Sequence, residues 1–210
     1  YNFLEEFNAD LGIVVAYGKI LPENFLPLAK KGFINIHASI LPSWRGAAPI
    51  QRAIMNMDNK TGISIMKINN KLDAGPICNK YEVDIKKQDN AETISEKLSM
   101  LASEKILDEI DSIIDGKANF VEQDNKKASY AKKIEKSEGK INWNSSADEI
   151  LGLINGLYPA PGAWFIYKGE RHKILKADVG NARGEPGIVL SENLEIGCKE
   201  KSLKIIEIQR

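Results

Sequence analysis

Asn35 and His37 stand two positions apart in Phe33-Ile34-Asn35-Ile36-His37, and Asp73 follows in Lys71-Leu72-Asp73-Ala74-Gly75-Pro76. An amide that donates to a developing oxyanion, an imidazole that carries a proton and a carboxylate that orients it are a minimal set for acyl transfer. The chain holds 2 histidines, and His37 is the one in its front part. A lone histidine at a strand end is more often a satisfied, half-buried residue. Here the asparagine two positions before it and the carboxylate in a tight Gly-Pro turn favour chemistry.

Those side chains need elements to hold them. Phe33 to His37 has a strand pattern, in which Asn35 and His37 at i and i+2 share one face. The strand breaks right after His37 into a loop with Pro42, Gly46 and Pro49. Open α/β sheets place ligands at such C-terminal strand ends. Upstream, Leu11 to Ala16 is a continuous apolar run, expected as a central strand covered on both faces and ended by Tyr17-Gly18. Leu21-Pro22-Glu23 is expected to open a helix through Lys30. The front therefore reads β-α-β, with a parallel strand pair. A short helix over Pro49 to Met55, strands over Ile63–Ile68 and Ile77–Ile85, and a helix from Ala91 to Asp115 stopped by Gly116 follow. The fold class is α/β, part of a doubly wound, Rossmann-like sheet.

Between Gln123 and Lys140 the composition turns polar, and residues 121–139 read as a linker between a domain at 1–120 and one at 140–210. Asn144 to Glu149 offers N-cap residues followed by acids, opening a helix to about Gly156. Five short strands then follow at Trp164–Tyr167, His172–Asp178, Gly187–Leu190, Leu194–Cys198 and Leu203–Ile208, the pattern of a small barrel. Residues 1–124 carry 14 Lys+Arg against 18 Asp+Glu, and residues 125–210 carry 15 against 11. A basic second domain suits a polyanion, although four charges are a weak asymmetry. Within it, His172 lies among Lys168, Arg171, Lys173 and Lys176, either a phosphate-contacting patch or a solvated face. Arg45 is a ligand for phosphate or carboxylate, or a brace for its loop. Trp44 is a stacking platform or holds the loop down.

The bulk properties exclude several classes. No apolar run reaches the roughly 18 residues of a membrane span. Cys78 and Cys198 have no Cys-x-x-Cys spacing, so neither a metal site nor a disulfide framework is expected, and a reduced cytoplasmic setting fits best. The first residues show no basic n-region, apolar h-region or small-residue cleavage site. The chain starts at Tyr1, and the apolar strand at Ile13-Val14-Val15 calls for neighbours on both sides. Residues 1–210 are therefore expected to be part of a longer polypeptide.

Asn35-x-His37-x-Ser39-x-Leu41-Pro42, with Arg45-Gly46 and Leu72-Asp73-x-Gly75, resembles the 10-formyltetrahydrofolate-dependent formyltransferases. The string Leu41 to Ile54 resembles the branch that formylates methionyl-tRNA. So do Val15-Ala16-Tyr17-Gly18-Lys19-Ile20-Leu21-Pro22, Lys140-Ile141-Asn142-Trp143 and Tyr158-Pro159-Ala160-Pro161-Gly162-Ala163-Trp164. The resemblance implies Asn35, His37 and Asp73 as the catalytic trio, in which Asp73 can stabilise the imidazolium, fix its tautomer and help accept the amine proton. It implies a folate site along Ser39, Ile40, Leu41 and Pro42, with Val15, Tyr17 and Gly18 as the opposite wall. It also implies 10-formyltetrahydrofolate as co-substrate, no metal, and an OB-like second domain that binds tRNA. From the residues themselves, the tRNA contacts expected are Lys168, Arg171, Lys173 and Lys176 in that domain and Arg45 in the first, and a monomer is expected. The family's N-terminal portion and final residues lie outside this chain. Two other functions stay open: formylation of a nucleotide-sugar or glycinamide-ribonucleotide amine, and RNA binding without catalysis.

Overall fold

The computed structural model describes residues 6–210. Five strands come first: β1 (Gly12–Val15), β2 (Phe33–His37), β3 (Arg45–Gly46), β4 (Lys60–Lys67) and β5 (Ile77–Asp84). β1, β2, β4 and β5 form one sheet in that order. β1 and β2 are parallel, with Val14 opposite Asn35 and Val15 opposite Ile36, so the strand ends expected to carry the site lie side by side. β4 runs antiparallel to β2 and to β5, which makes the sheet mixed rather than wholly parallel. The short stretch 68–76 explains the second pairing: a turn joins antiparallel strands, whereas a parallel pair needs a crossover of a dozen or more residues.

One expectation fails here. The helix from Leu21 to Lys30 is instead a 3₁₀ turn over Glu23–Leu28 with Pro27 inside it. Pro27 offers no N–H, and its ring crowds the carbonyl four residues back, so an α-helix cannot propagate. Among the described residues β1 ends the strand order, with Ile13 and Val15 exposed.

Among the described residues the α-helices that can be bounded are α1 (Pro49–Met55), α2 (Ala91–Ile114) and α3 (Ala147–Leu157). α2 buries Ile94, Leu98 and Ile113, and Gly116, at φ 73°, follows its end in the left-handed conformation. α3 starts on a capping box: the Ser146 hydroxyl accepts from the Glu149 N–H, and the Glu149 side chain accepts from the Ser146 N–H. Its buried Ile150, Leu151 and Ile154 join Ala163, Ile174, Ala177, Ile196, Leu203 and Ile205 in one apolar cluster. Each large aliphatic side chain of this kind, fully buried, stabilises the fold by about 1.5–3 kcal/mol.

Between α2 and α3 lies β6 (Tyr130–Ala131), flanked by 3₁₀ turns at Asn125–Lys127 and Lys136–Gly139. After α3 come β7 (Ala163–Tyr167), β8 (Glu170–Gly180), β9 (Val189–Ser191), β10 (Glu195–Gly197) and β11 (Ser202–Gln209). They make an antiparallel sheet in the order β7-β8-β11-β10-β9. All five strands stand where the alternating pattern placed them; the order runs open from β7 to β9. The chain forms two compact units. One is Tyr1–Pro49, Lys60–Asp84 and Glu96–Lys133; the other is Ile50–Asn59, Ile85–Ser95 and Ile134–Arg210. Among the described residues no helix is long and apolar enough to cross a membrane.

Candidate active site

β2 buries Ile34 and Ile36 on one face, which leaves Asn35 and His37 together on the other. His37 is itself only 6% exposed. Its Nε2 lies 2.9 Å from the carbonyl oxygen of Trp44. A carbonyl can only accept, so Nε2 carries the hydrogen in the neutral ring and Nδ1 is free to accept. Nδ1 faces Asp73 Oδ2 at 3.7 Å. The same Oδ2 accepts the Gly46 N–H at 2.8 Å. The tautomer is thus held by a backbone carbonyl, and the Asp73 carboxylate stands beside the other ring nitrogen.

The loop after β2 is folded inward. The Ser39 hydroxyl donates to the Ser43 carbonyl at 2.6 Å. Ser64, opposite His37 on β4, donates to the Ser39 carbonyl at 2.7 Å and accepts the Leu41 N–H at 3.0 Å. The Leu41 side chain packs with Met66 and Ile77. Of the four residues expected along the folate, Ser39 and Leu41 therefore turn their side chains into the protein. Val15 and Tyr17, 55% and 56% exposed, and Gly18 sit at the neighbouring strand end. An aliphatic and an aromatic side chain there can form one wall of a site for a flat ring system.

Sequence reasoning missed the stretch 121–131. The Val121 and Ile77 backbones exchange two hydrogen bonds. Trp44 N–H donates to Ser129 Oγ at 2.9 Å. Arg45 N–H donates to the Ser129 carbonyl at 2.9 Å and Ser129 N–H to the Pro42 carbonyl at 3.2 Å. β6 then pairs in parallel with β3, Arg45 opposite Tyr130 and Gly46 opposite Ala131. The polar composition that reads as a linker belongs to a strap on the loop after β2. Nothing periodic marks Ser64, Gln123 or Ser129; Ser64 alone had a hint, as the polar residue in the apolar run of β4. Arg45 is 3% exposed and donates twice to Gln123. Of its two readings, the geometry favours the loop brace.

The basic candidates stand elsewhere. Lys168 is in the turn between β7 and β8, its Nζ 5.4 Å from the Tyr167 ring centre. The Arg171 guanidinium lies 4.1 Å from the Trp164 ring centre. His172 stacks on Phe165 at 5.7 Å. Lys173 is opposite Trp164 on β7, and Lys176 is opposite Glu207 on β11. Lys168, Arg171 and Lys173 thus share one hairpin, Lys176 lies further along β8, and Arg45 is in the other unit.

Residues 2–110 match the family described as Formyl transferase, and residues 133–210 the one described as Formyl transferase, C-terminal domain. A methionyl-tRNA formyltransferase from Pelagibacter ubique (strain HTCC1062) is 63% identical over 211 residues, covering 100% of this chain and 68% of that protein. An N-formyltransferase from Helicobacter canadensis, solved with folinic acid and dTDP-3-aminofucose, is similar at a TM-score of 0.80. It is 21% identical, with 98% of this chain and 77% of that one covered. HypX from Aquifex aeolicus, solved with tetrahydrofolic acid, gives 0.77 at 18% identity over 99% of this chain and 37% of that one. At such identities the two solved structures bear on the fold alone.

Proposed function

The chain belongs to the formyl transferase family, and from that membership we propose that it transfers a formyl group from 10-formyltetrahydrofolate to the amine of methionyl-tRNA. The observation that carries the reading is His37 at the end of β2, with Nδ1 3.7 Å from Asp73 Oδ2 and Asn35 on the same face. The amine attacks the formyl carbon, and the Asn35 amide donates to the oxyanion that develops. As the new C–N bond forms, the bond from carbon to N10 of the folate breaks. The amine loses one proton and N10 gains one. Nδ1 of His37, with Asp73 beside it, is placed to carry that proton.

Val15, Tyr17, Gly18 and the loop Ser39-Ile40-Leu41-Pro42 are proposed to hold the folate. Lys168, Arg171, Lys173 and Lys176, with Lys132, Lys133 and Lys136, are proposed to meet tRNA phosphates. In functional terms we assign residues 1–120 to catalysis and 140–210, as an OB-like module, to tRNA. Residues 121–139 come between them, with 121–131 bound into the catalytic unit. A cytoplasmic monomer suits a protein that acts on charged tRNA.

The test is direct. Purified full-length protein with 10-formyltetrahydrofolate is offered methionyl-tRNA or an amino-sugar nucleotide, and the formylated product is counted. Formylation of methionyl-tRNA is expected. Activity confined to the sugar would transfer the case to the nucleotide-sugar branch, and tRNA binding without any product would leave only an RNA-binding role.

A further inference from the structure

Gln123 is 8% exposed, and every hydrogen-bonding position of its amide is used. Oε1 accepts from Arg45 Nε at 3.0 Å and from Arg45 Nη2 at 2.7 Å. Nε2 donates to the carbonyl oxygens of Asp73 at 2.9 Å and Gly75 at 2.8 Å. An amide has two lone pairs on oxygen and two hydrogens on nitrogen, so this set is complete. It is also directional. The buried guanidinium pulls electron density toward Oε1, which makes the NH₂ a stronger donor to the two carbonyls.

Those carbonyls belong to the turn that presents the carboxylate. Asp73 has φ 45°, a left-handed conformation that a non-glycine residue keeps only where its surroundings impose it. The turn lies outside the regular sheet ladder, so its backbone acceptors need partners from elsewhere. Gln123 supplies them. Gly46 N–H holds the carboxylate itself, so the side chain and its backbone are pinned by separate donors.

We propose that Gln123, polarised by Arg45, is the positioning residue for Asp73, fixing the carboxylate where it faces Nδ1 of His37. The proposal rests on the reading of Asn35, His37 and Asp73 as the formyl-transfer trio. Gln123 touches no reacting atom; it acts through the turn. A displacement on the order of 1 Å in such a group lowers rate by up to about 100-fold.

The decisive variant is Gln123→Glu in the full-length protein. Its carboxylate still accepts from Arg45 but has no hydrogen to give the two carbonyls. Expected are a lowered thermal midpoint in a protein still folded at the assay temperature, kcat lower by about 10- to 100-fold, and KM for folate and tRNA close to wild type. Gln123→Met, of similar length and without charge, carries the same expectation for kcat and serves if the first variant fails to fold. A double-mutant cycle with Asp73→Asn separates positioning from general loosening. If Gln123 works through Asp73, adding Gln123→Glu to Asp73→Asn leaves kcat where Asp73→Asn put it. Wild-type kcat in both single variants, or losses that multiply in the double, would overturn the proposal while leaving the formyl-transfer reading intact. A wild type that forms no formylated methionyl-tRNA would remove that reading, and this one with it.

Discussion

The loop after β2 and the hairpin between β7 and β8 both carry polar side chains past a strand end, and they are held in opposite ways. In the loop, side chains serve the backbone: Ser39 bonds Ser43, Ser64 bonds Ser39 and Leu41, Ser129 bonds Trp44, and His37 bonds the Trp44 carbonyl. In the hairpin the cations lie over rings, Lys168 by Tyr167 and Arg171 by Trp164. The first arrangement fixes atoms to a fraction of an ångström, as proton transfer requires. The second keeps charges on long stems that adjust to a polyanion while their methylenes cover aromatic surface. On the roles proposed above, chemistry and recognition fall to differently built parts of the molecule, and damage to each should read out in a different kinetic constant.

The sharpest separation comes from His37→Ala. It should lower kcat by about 10²–10⁴-fold, the usual share of a general acid or base, with KM for tRNA unchanged. Steady-state rates at saturating substrates measure this, and near wild-type turnover would dissolve the contrast.

A pair of glycines probes the rigidity itself. Gly46 has φ 119°, and a Cβ there would stand 2.8 Å from the Ala131 carbonyl oxygen. Gly46→Ala should therefore force the strap off the loop, lowering unfolding free energy by about 1–3 kcal/mol and taking activity with it. Gly169, in the hairpin turn, has φ 81° but open space around its Cβ position. Gly169→Ala should cost only the strain of the left-handed backbone, about 1 kcal/mol, with kcat kept. Urea titrations together with single-turnover rates compare the two, and equal effects would contradict the distinction.

Lys173→Glu with Lys176→Glu tests the recognition side. KM for tRNA should rise with kcat and folate affinity unchanged. The slope of log affinity against log salt should flatten by about 0.7 to 0.9 for each phosphate that is no longer neutralised. Identical KM and slope in wild type and variant would exclude these lysines from the tRNA interface.

The smallest effect lies in the second unit's own frame. Arg52 donates to both carboxylate oxygens of Glu138, at 2.6 and 3.0 Å. The Glu135 N–H donates to the same carboxylate at 2.8 Å. With Arg52 the larger cause and the Glu135 N–H the next, the Glu138 carboxyl titrates below the ordinary range. A carboxyl lowered in the folded state stabilises above the unfolded pKa of about 4.3, and that contribution is lost as pH falls through the folded value. Arg52→Met should thus be less stable than wild type at pH 7, and the gap should close under acid conditions. A gap independent of pH would assign the effect to packing instead.

Much of this was legible because it is local. The strands of both sheets, the helix from Ala91, the Ser146–Glu149 capping box and the stop at Gly116 follow from period and caps read within a few residues. The shared face of Asn35 and His37 and the turn that carries Asp73 were legible for the same reason, since each depends on neighbours a few residues away. Gln123, Ser64 and Ser129 were not. Each acts across dozens of positions on a backbone group, and a single polar residue leaves no periodic trace. Pro27 is visible in the sequence, and its missing N–H decides against the helix that the apolar spacing around it suggests.

The interleaving of the two units has a consequence for the order of assembly. Residues 50–59 and 85–95 share a unit with 134–210. A ribosome releases the chain from its N-terminus at about 5–20 residues per second. Arg52 is therefore made well before Glu138, and the Lys87 carbonyl before Asn155, whose side chain donates to it at 3.2 Å. Until β7 to β11 emerge, α1 has no finished core of its own to join. The second unit must close late and around pieces already waiting, a search dominated by contacts distant in sequence and correspondingly slow. A fragment beginning after residue 133 would have to fold without them.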